Sequence, residues 1–289
     1  MVIYVKKKLI ILFLILGILI IFLTIFNIYI EPNGQQVPVL TYHHFLSEEE
    51  IKDFNNDDNY AVSDKNFDKQ MKYLKDSGYE SITLDELYCW KQKKCDIPEK
   101  SFVITIDDGL TSSYRYAEKI LEKYGFSGVL FTISSRVEDI TPKWDSQTYN
   151  YVGMDIINEH NKTINIQSHS HDLHHYEGQT KAIEAFSKKQ IENDIIQTKK
   201  ILNAEYLSYP YNTYNKYIFK SLKKNDFKLA FRGTNHKTFR NEPQYMISRI
   251  HISNDIEQFK EVFESNKYNQ TLKTKFVTFL LYIKKCLSL

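Results

Sequence analysis

Residues 9–30, LIILFLILGILIIFLTIFNIYI, run for 22 positions without a charge. A helix needs about 20 such residues to cross the hydrocarbon core of a bilayer. Helices buried in soluble cores rarely run so long without a polar face. No small-residue cleavage pattern follows, so the run reads as an uncleaved signal anchor. Lys6, Lys7 and Lys8 precede it, an asymmetry that keeps this end in the cytoplasm and carries the rest across. The expected organisation is a basic cytoplasmic segment at 1–8, one transmembrane helix at 9–30 and a linker, EPNGQQ, at 31–36. A single-pass protein of the cell membrane follows, with its domain outside.

Beyond residue 30 the chain keeps 35 basic and all 36 acidic residues, a net charge of −1. That balance excludes a nucleic-acid partner. Three cysteines are too few for a disulfide scaffold. Cys89 and Cys95 can pair outside the cell or remain free thiols. The 21 Tyr and 18 Phe permit a large core and surfaces on which sugars stack.

From residue 37 to about 269, apolar β-type runs alternate with helical patterns. VPVLTY (37–42), SFVITI (101–106), GVLFTI (128–133), TINIQ (163–167), EYLSY (205–209) and FKLAF (227–231) are the expected strands. Residues 64–77 place Phe67, Met71 and Leu74 on one helical face, with Gly78 as a stop. TLDE at 83–86 is a capping box. Further helices are expected at 112–124, closed by Gly125, and across 181–203. Repeated β–α units imply a parallel sheet or barrel, with any active site at the carboxyl ends of the strands. The tail at 270–289 has Phe276, Phe279, Leu280, Ile283 and Leu287 on one face and only Lys as charge. It is expected to be a basic amphipathic helix, lying on a membrane or packing on the domain.

Three stretches at strand ends carry chemistry. In ITIDDG (104–109) two carboxylates follow a strand and point in different directions, although Asp-Asp-Gly is also a common turn. In IQSHSHDLHH (166–175) four of the chain's nine histidines fall within seven positions. Histidines with a carboxylate suit zinc and related divalent ions, and a solvated, pH-responsive loop is the plainer reading. In LSYPYN (207–212) a proline ends a strand and leaves the next amide, that of Tyr211, free to face a site.

In this order the three stretches resemble the motifs of the polysaccharide deacetylase family, carbohydrate esterase family 4. The resemblance spans about residues 37–252. It implies a distorted (β/α) barrel and a metal-dependent hydrolase that removes acetyl groups from an acetylated polysaccharide. TIDDG matches the family's first motif, so Asp107 is the implied catalytic base and Asp108 a metal ligand. HSHDLH supplies His169 and His174 as the other ligands, His175 being the alternative to His174, and Asp172 could orient a ligand. The ion would be zinc, with cobalt, nickel or manganese able to replace it. The backbone N–H of Tyr211 would face the oxyanion, with Tyr209 contacting substrate. Arg249, in SRIHI, is a candidate to support a site residue or to contact substrate, a surface-strand arginine being the plainer reading. The spacing of HSHDLH and the Tyr-His of TYHHF (41–45) resemble the branch acting on poly-β-1,6-N-acetylglucosamine, where motif order is permuted. By that likeness His43, ahead of His44, is the general acid. Ser208 and Asn212 depart from the third motif, which has an orienting arginine and a glycine at these places.

Overall fold

Seven parallel strands close on themselves. In chain order they are β1 (Val39–Tyr42), β2 (Ser101–Ile106), β3 (Gly128–Thr132), β4 (Ile164–Ser168), β5 (Tyr206–Ser208), β6 (Leu229–Gly233) and β7 (Ile247–His251). Around the barrel the order is β1-β7-β6-β5-β4-β3-β2, and β2 pairs back to β1 through Leu40↔Ile104 and Tyr42↔Ile106. The computed structural model describes residues 13–20, 34–54, 60–159, 161–271, 276 and 280. Residues 13–20 are helical; the rest of the expected membrane helix and most of the amphipathic tail lie outside the described residues. Among the described residues no helix is long and apolar enough to cross a membrane.

Six of the strands coincide with the apolar runs. β7 does not, because ISRIH interrupts its apolar positions with Ser248 and Arg249, and only the closed barrel gives those residues a buried place. Alternation along a strand sends side chains to opposite faces. One face of every strand meets the helices: Leu40, Tyr42, Ile104, Ile106 and Leu130 pack with Phe67, Met71, Leu74 and Leu121. The other faces inward, where Val39, Val103, Val129, Phe131, Leu229, Phe231 and Ile247 form a second cluster with Leu87 and Trp90.

The inward face changes character along the strands. Val39 is followed by Thr41, Val103 by Thr105 and Asp107, Tyr206 by Ser208, and Ile247 by Arg249. All of these are buried. The amino end of the barrel is thus filled with hydrocarbon and the carboxyl end with polar groups that must bond one another.

The helices follow their local signals. α1 (Asp64–Asp76) and α2 (Leu84–Lys91) start at Ser63 and Thr83, and Thr83 forms the expected capping box with Glu86. Two helices depart from expectation. The stretch 112–124 opens as a π-turn at Ser113–Ala117 and becomes α3 only at Glu118–Tyr124, closed by Gly125 at φ 69°. The long helix across 181–203 is two pieces, a turn at Ala182–Ala185 and α4 at Lys188–Leu202, because Ser187 caps the second with Gln190. α5 (Lys216–Lys224) and α6 (Ile256–Glu264) complete the outer layer. Cys89 and Cys95 are joined in a disulfide.

Candidate active site and metal centre

The two carboxylates of IDDG part company at once. Asp107 prolongs the inward series of β2, its N–H donating to the carbonyl of Tyr42 at 2.9 Å. Its side chain is buried and meets Arg249 in a two-pronged pair, both N···O distances being 2.7 Å. Ser208 Oγ accepts from Arg249 Nη2 at 2.7 Å and donates to Asp107 Oδ2 at 3.1 Å. Arg249 also reaches Thr105 Oγ1 at 3.0 Å. Burial alone would raise the Asp107 carboxyl, but the Arg249 charge, with His169 and His43 nearby, outweighs it and holds the group well below the usual carboxylate range. Arg249 therefore takes the supporting role, the first of its two expected readings: it holds Asp107 at the wall of the cleft. Ser208, standing where the motif would have an arginine, relays part of that bond.

Asp108 turns the other way. It sits at φ 75° and Gly109 at φ 81°. A Cβ on Gly109 would lie 2.8 Å from Thr132 Cγ2 and 3.0 Å from its Cα, so glycine is required there. Left-handed backbone is costly for a non-glycine residue. What it achieves is to aim Asp108 Oδ1 at His169 Nε2 (3.6 Å) and His174 Nε2 (3.5 Å).

These distances are too long for good hydrogen bonds. They are close to the separation of two ligands of a common tetrahedral ion, about 3.3 Å for metal–ligand arms of about 2.05 Å. The three ligand atoms lie within 4.8 Å of one another. His169 Nδ1 is 2.9 Å from the Ser208 carbonyl, which only accepts, so Nδ1 carries the proton and Nε2 presents a lone pair to Asp108. Burial pushes His169 down to about 3 and His174 down to about 4, so both are neutral at physiological pH. Two neutral imidazoles, one carboxylate and an open side fit a divalent ion.

The other histidines of the run point elsewhere. His171 Nδ1 pairs with Ser134 Oγ at 3.0 Å. His175 Nε2 bonds Glu177 at 2.9 Å, outside the cluster, which leaves His174 as the third group. Asp172 does not orient a ligand: its carboxylate faces His175 (3.7 Å) and Ser135 (3.3 Å).

His43 lines the same cleft as His174, together with Asp107, Asp108 and His251. Its ring is 4.7 Å from Tyr60 and 5.9 Å from His251. Burial lowers its pKa, and the charges of Asp107 and Asp108 oppose that fall. His44 instead packs between Phe54 and Tyr149, away from the cleft. Tyr211 stands at φ 52°, its ring stacked on His174 at 4.3 Å. Asn212, at φ 54°, locks the turn to β6 by exchanging two hydrogen bonds with Gly233, at 2.7 and 3.0 Å. Tyr209 borders the cleft, but its ring is buried among Ile218, Leu222 and Ala230, with its hydroxyl donating to the Tyr245 carbonyl at 2.9 Å. Sequence reasoning did not single out Lys181, whose ammonium donates to the Tyr211 carbonyl (3.3 Å) and Thr213 Oγ1 (2.9 Å), nor His251. No local motif marks either residue.

The family model described as polysaccharide deacetylase matches residues 94–230. That span includes Asp107, Asp108, His169, His174 and Tyr211, and leaves out His43 and Arg249. The chain is 30% identical over 227 residues to a poly-β-1,6-N-acetyl-D-glucosamine N-deacetylase of Staphylococcus aureus, covering 74% of this chain and 73% of that protein. A protein of the same name from Staphylococcus epidermidis is 27% identical over 232 residues, 75% of this chain and 78% of its own. Among solved structures, the Streptococcus pyogenes deacetylase PplD aligns with a TM-score of 0.64 at 20% identity, over 80% of this chain and 100% of that one. IcaB from Ammonifex degensii aligns with a TM-score of 0.64 at 23% identity, over 79% and 96%. These two likenesses carry the fold.

Proposed function

The chain belongs to the polysaccharide deacetylase family, and from that premise we propose that it removes N-acetyl groups from poly-β-1,6-N-acetyl-D-glucosamine in a reaction that depends on one divalent ion, zinc foremost. It is a hydrolase acting on the amides of an acetylated polysaccharide; linkage, ion and residue roles are the proposed part. The observation that carries the reading is one cleft holding Asp107, the Asp108–His169–His174 cluster and His43 together.

Asp108, His169 and His174 would hold the ion, which when bound supplies a Lewis acid and lowers the pKa of water. Asp107 takes the proton of the attacking water. Arg249 keeps it ionised and fixed in direction, so that geometry and charge state are set before substrate arrives. The backbone N–H of Tyr211 donates to the oxyanion that develops on the acetamide carbonyl. His43 protonates the departing sugar nitrogen, which is a poor leaving group without that proton. The products are acetate and a free amine that is cationic at neutral pH. Anchored through residues 9–30 at the outer face of the membrane, the domain would act on secreted or cell-surface polymer, and the new charges would hold that polymer to anionic surfaces.

The test uses the full chain in detergent. Acetate release is measured from β-1,6-linked N-acetylglucosamine oligomers, β-1,4-linked chitooligosaccharides and peptidoglycan, before and after chelation and after zinc is restored. Release that prefers the β-1,6 oligomers and follows zinc is expected. Full activity in the chelated enzyme would remove the metal from the reading, and faster release from either other glycan would remove the substrate assignment.

A further inference from the structure

The two ligand histidines, His169 and His174, are separated by a tight loop whose N–H groups all find partners. His169 donates to the Thr132 carbonyl at 2.8 Å. Ser170, at φ 72°, donates to Ser168 Oγ at 3.0 Å, and Leu173 to Ser170 Oγ at 3.2 Å. The remaining two N–H groups, of His171 and Asp172, converge on one carboxylate. They reach Asp194 Oδ1 and Oδ2 at 3.0 and 2.6 Å.

Asp194 is far away in sequence, on α4. It lies on the helix face that also buries Ile191, Ile195 and Thr198. It is 4% exposed, and its two oxygens are met by backbone N–H groups rather than by a cation. A buried carboxylate without a cation is expensive unless its oxygens accept several hydrogen bonds. One turn further on, Thr198 Oγ1 meets Ser168 Oγ at 2.8 Å. Two polar residues spaced i, i+4 on an otherwise apolar face thus form a template under the loop. An aliphatic side chain would satisfy the core there equally well, so the carboxylate needs another reason, and the loop it grips lies between two metal-cluster histidines.

We infer that Asp194 is the positioning residue that sets the separation of His169 and His174 and thereby the affinity of the cluster for a divalent ion. The inference rests on the metal reading above. Asp194 touches neither histidine. It acts through the backbone of His171 and Asp172, and it fixes the sharp turn at Ser170 in the one conformation that brings both Nε2 atoms to Asp108.

Zinc affinity is measured on the full-length protein by competition with a chromophoric chelator, alongside the melting temperature of the metal-free protein. Asp194→Asn keeps the shape but turns an NH2 against a backbone N–H. Its zinc Kd is expected to rise about 10-fold or more, within the range typical of residues that support ligands, and saturating zinc is expected to restore most of the lost turnover. Thr198→Val, a milder change on the same template, should raise Kd by a few-fold. Leu202→Ala, two turns beyond Asp194 at the end of the same helix, should lower the melting temperature and leave Kd unchanged. If wild-type protein binds no zinc while Asp108→Ala behaves identically, the metal reading fails. If wild type binds zinc and both template variants bind it equally well, Asp194 is a structural residue and the inference is overturned.

Discussion

The two ends of the barrel differ in how they use unusual backbone. Among the described residues, eight that are not glycine have positive φ. Lys93, Asn203 and Asp226 lie at the amino end, each just past the helix that leads into the next strand. Closing a helix with a left-handed residue is ordinary and stabilising, and asparagine tolerates it well. Asp108, Ser170, Tyr211, Asn212 and Asn235 lie at the carboxyl end, in the loops after β2, β4, β5 and β6. There, Asp108, Ser170 and Tyr211 have no capping role, and what their strain achieves is the aim of a carboxylate, of two imidazoles and of an amide. The inward side chains divide the same way, hydrocarbon at one end and bonded polar groups at the other. One end stores stability and the other spends some of it on direction.

Substitutions at the two ends should therefore separate stability from turnover. The largest contrast pairs Asp108→Ala with Leu229→Ala. The first is expected to lower kcat/KM by roughly 10³-fold or more and to abolish zinc binding, with little loss of fold. The second should cost about 2–5 kcal/mol in denaturant unfolding and leave kcat per folded molecule unchanged. Arg249→Lys comes next. A lysine cannot reproduce the two-pronged bond, so Asp107 loses direction, and kcat should fall by about 100-fold, the scale of a misplacement of about 1 Å, with KM little altered. A fall in KM affinity with kcat intact would return Arg249 to the substrate. The third contrast is between turns. Tyr211→Gly relieves strain of about 1 kcal/mol and should raise the melting temperature while lowering kcat. Asn203→Ala should lower the melting temperature, by about 1 kcal/mol, with kcat unaffected.

The same division explains what could be read from the sequence. Asp107, Asp108 and the histidines fall in two short runs, each following a strand of apolar residues, which marks the runs; the likeness to the family's motifs separates the roles within them. The pairing of Arg249 with Asp107 spans 142 residues and needs β7 to lie beside β1 in a closed barrel. No local pattern announces that, and the polar inward positions that make the pair useful also hide β7 as a strand. Tyr209 and Tyr211 flank one proline symmetrically in sequence, yet one ring enters the core and the other stacks on His174, a choice made by the left-handed turn at Tyr211. The carboxylate of Asp172, adjacent to the ligands, faces away from them, and that of Asp194, far from them in sequence, grips their loop through the N–H groups of His171 and Asp172.

Acid sensitivity, the most gradual of these effects, belongs to one end as well. Every described histidine lies at or beyond the carboxyl end of a strand. His174 titrates near 6.5 in an unfolded chain and near 4 when folded, because burial disfavours its charge. Between these values the unfolded chain binds more protons than the native one, so stability rises with pH through the window. The contribution is complete above about 6.5 and is lost as pH falls towards 4; His169, at about 3, extends the loss further down. Asp107 acts only below the usual carboxylate range, where protonation removes its pairing with Arg249. Asp194, pushed up to about 6 by burial, binds its proton more tightly in the native state and opposes part of that loss. Melting of the metal-free protein should weaken from pH 6.5 to 4 by the excess of the two histidines, and His174→Gln should reduce that slope, by up to about 1.4 kcal/mol per pH unit. A slope unchanged in His174→Gln would mean that the histidine is solvated in the metal-free protein, and the carboxyl end would then be less rigidly preset than its backbone geometry implies.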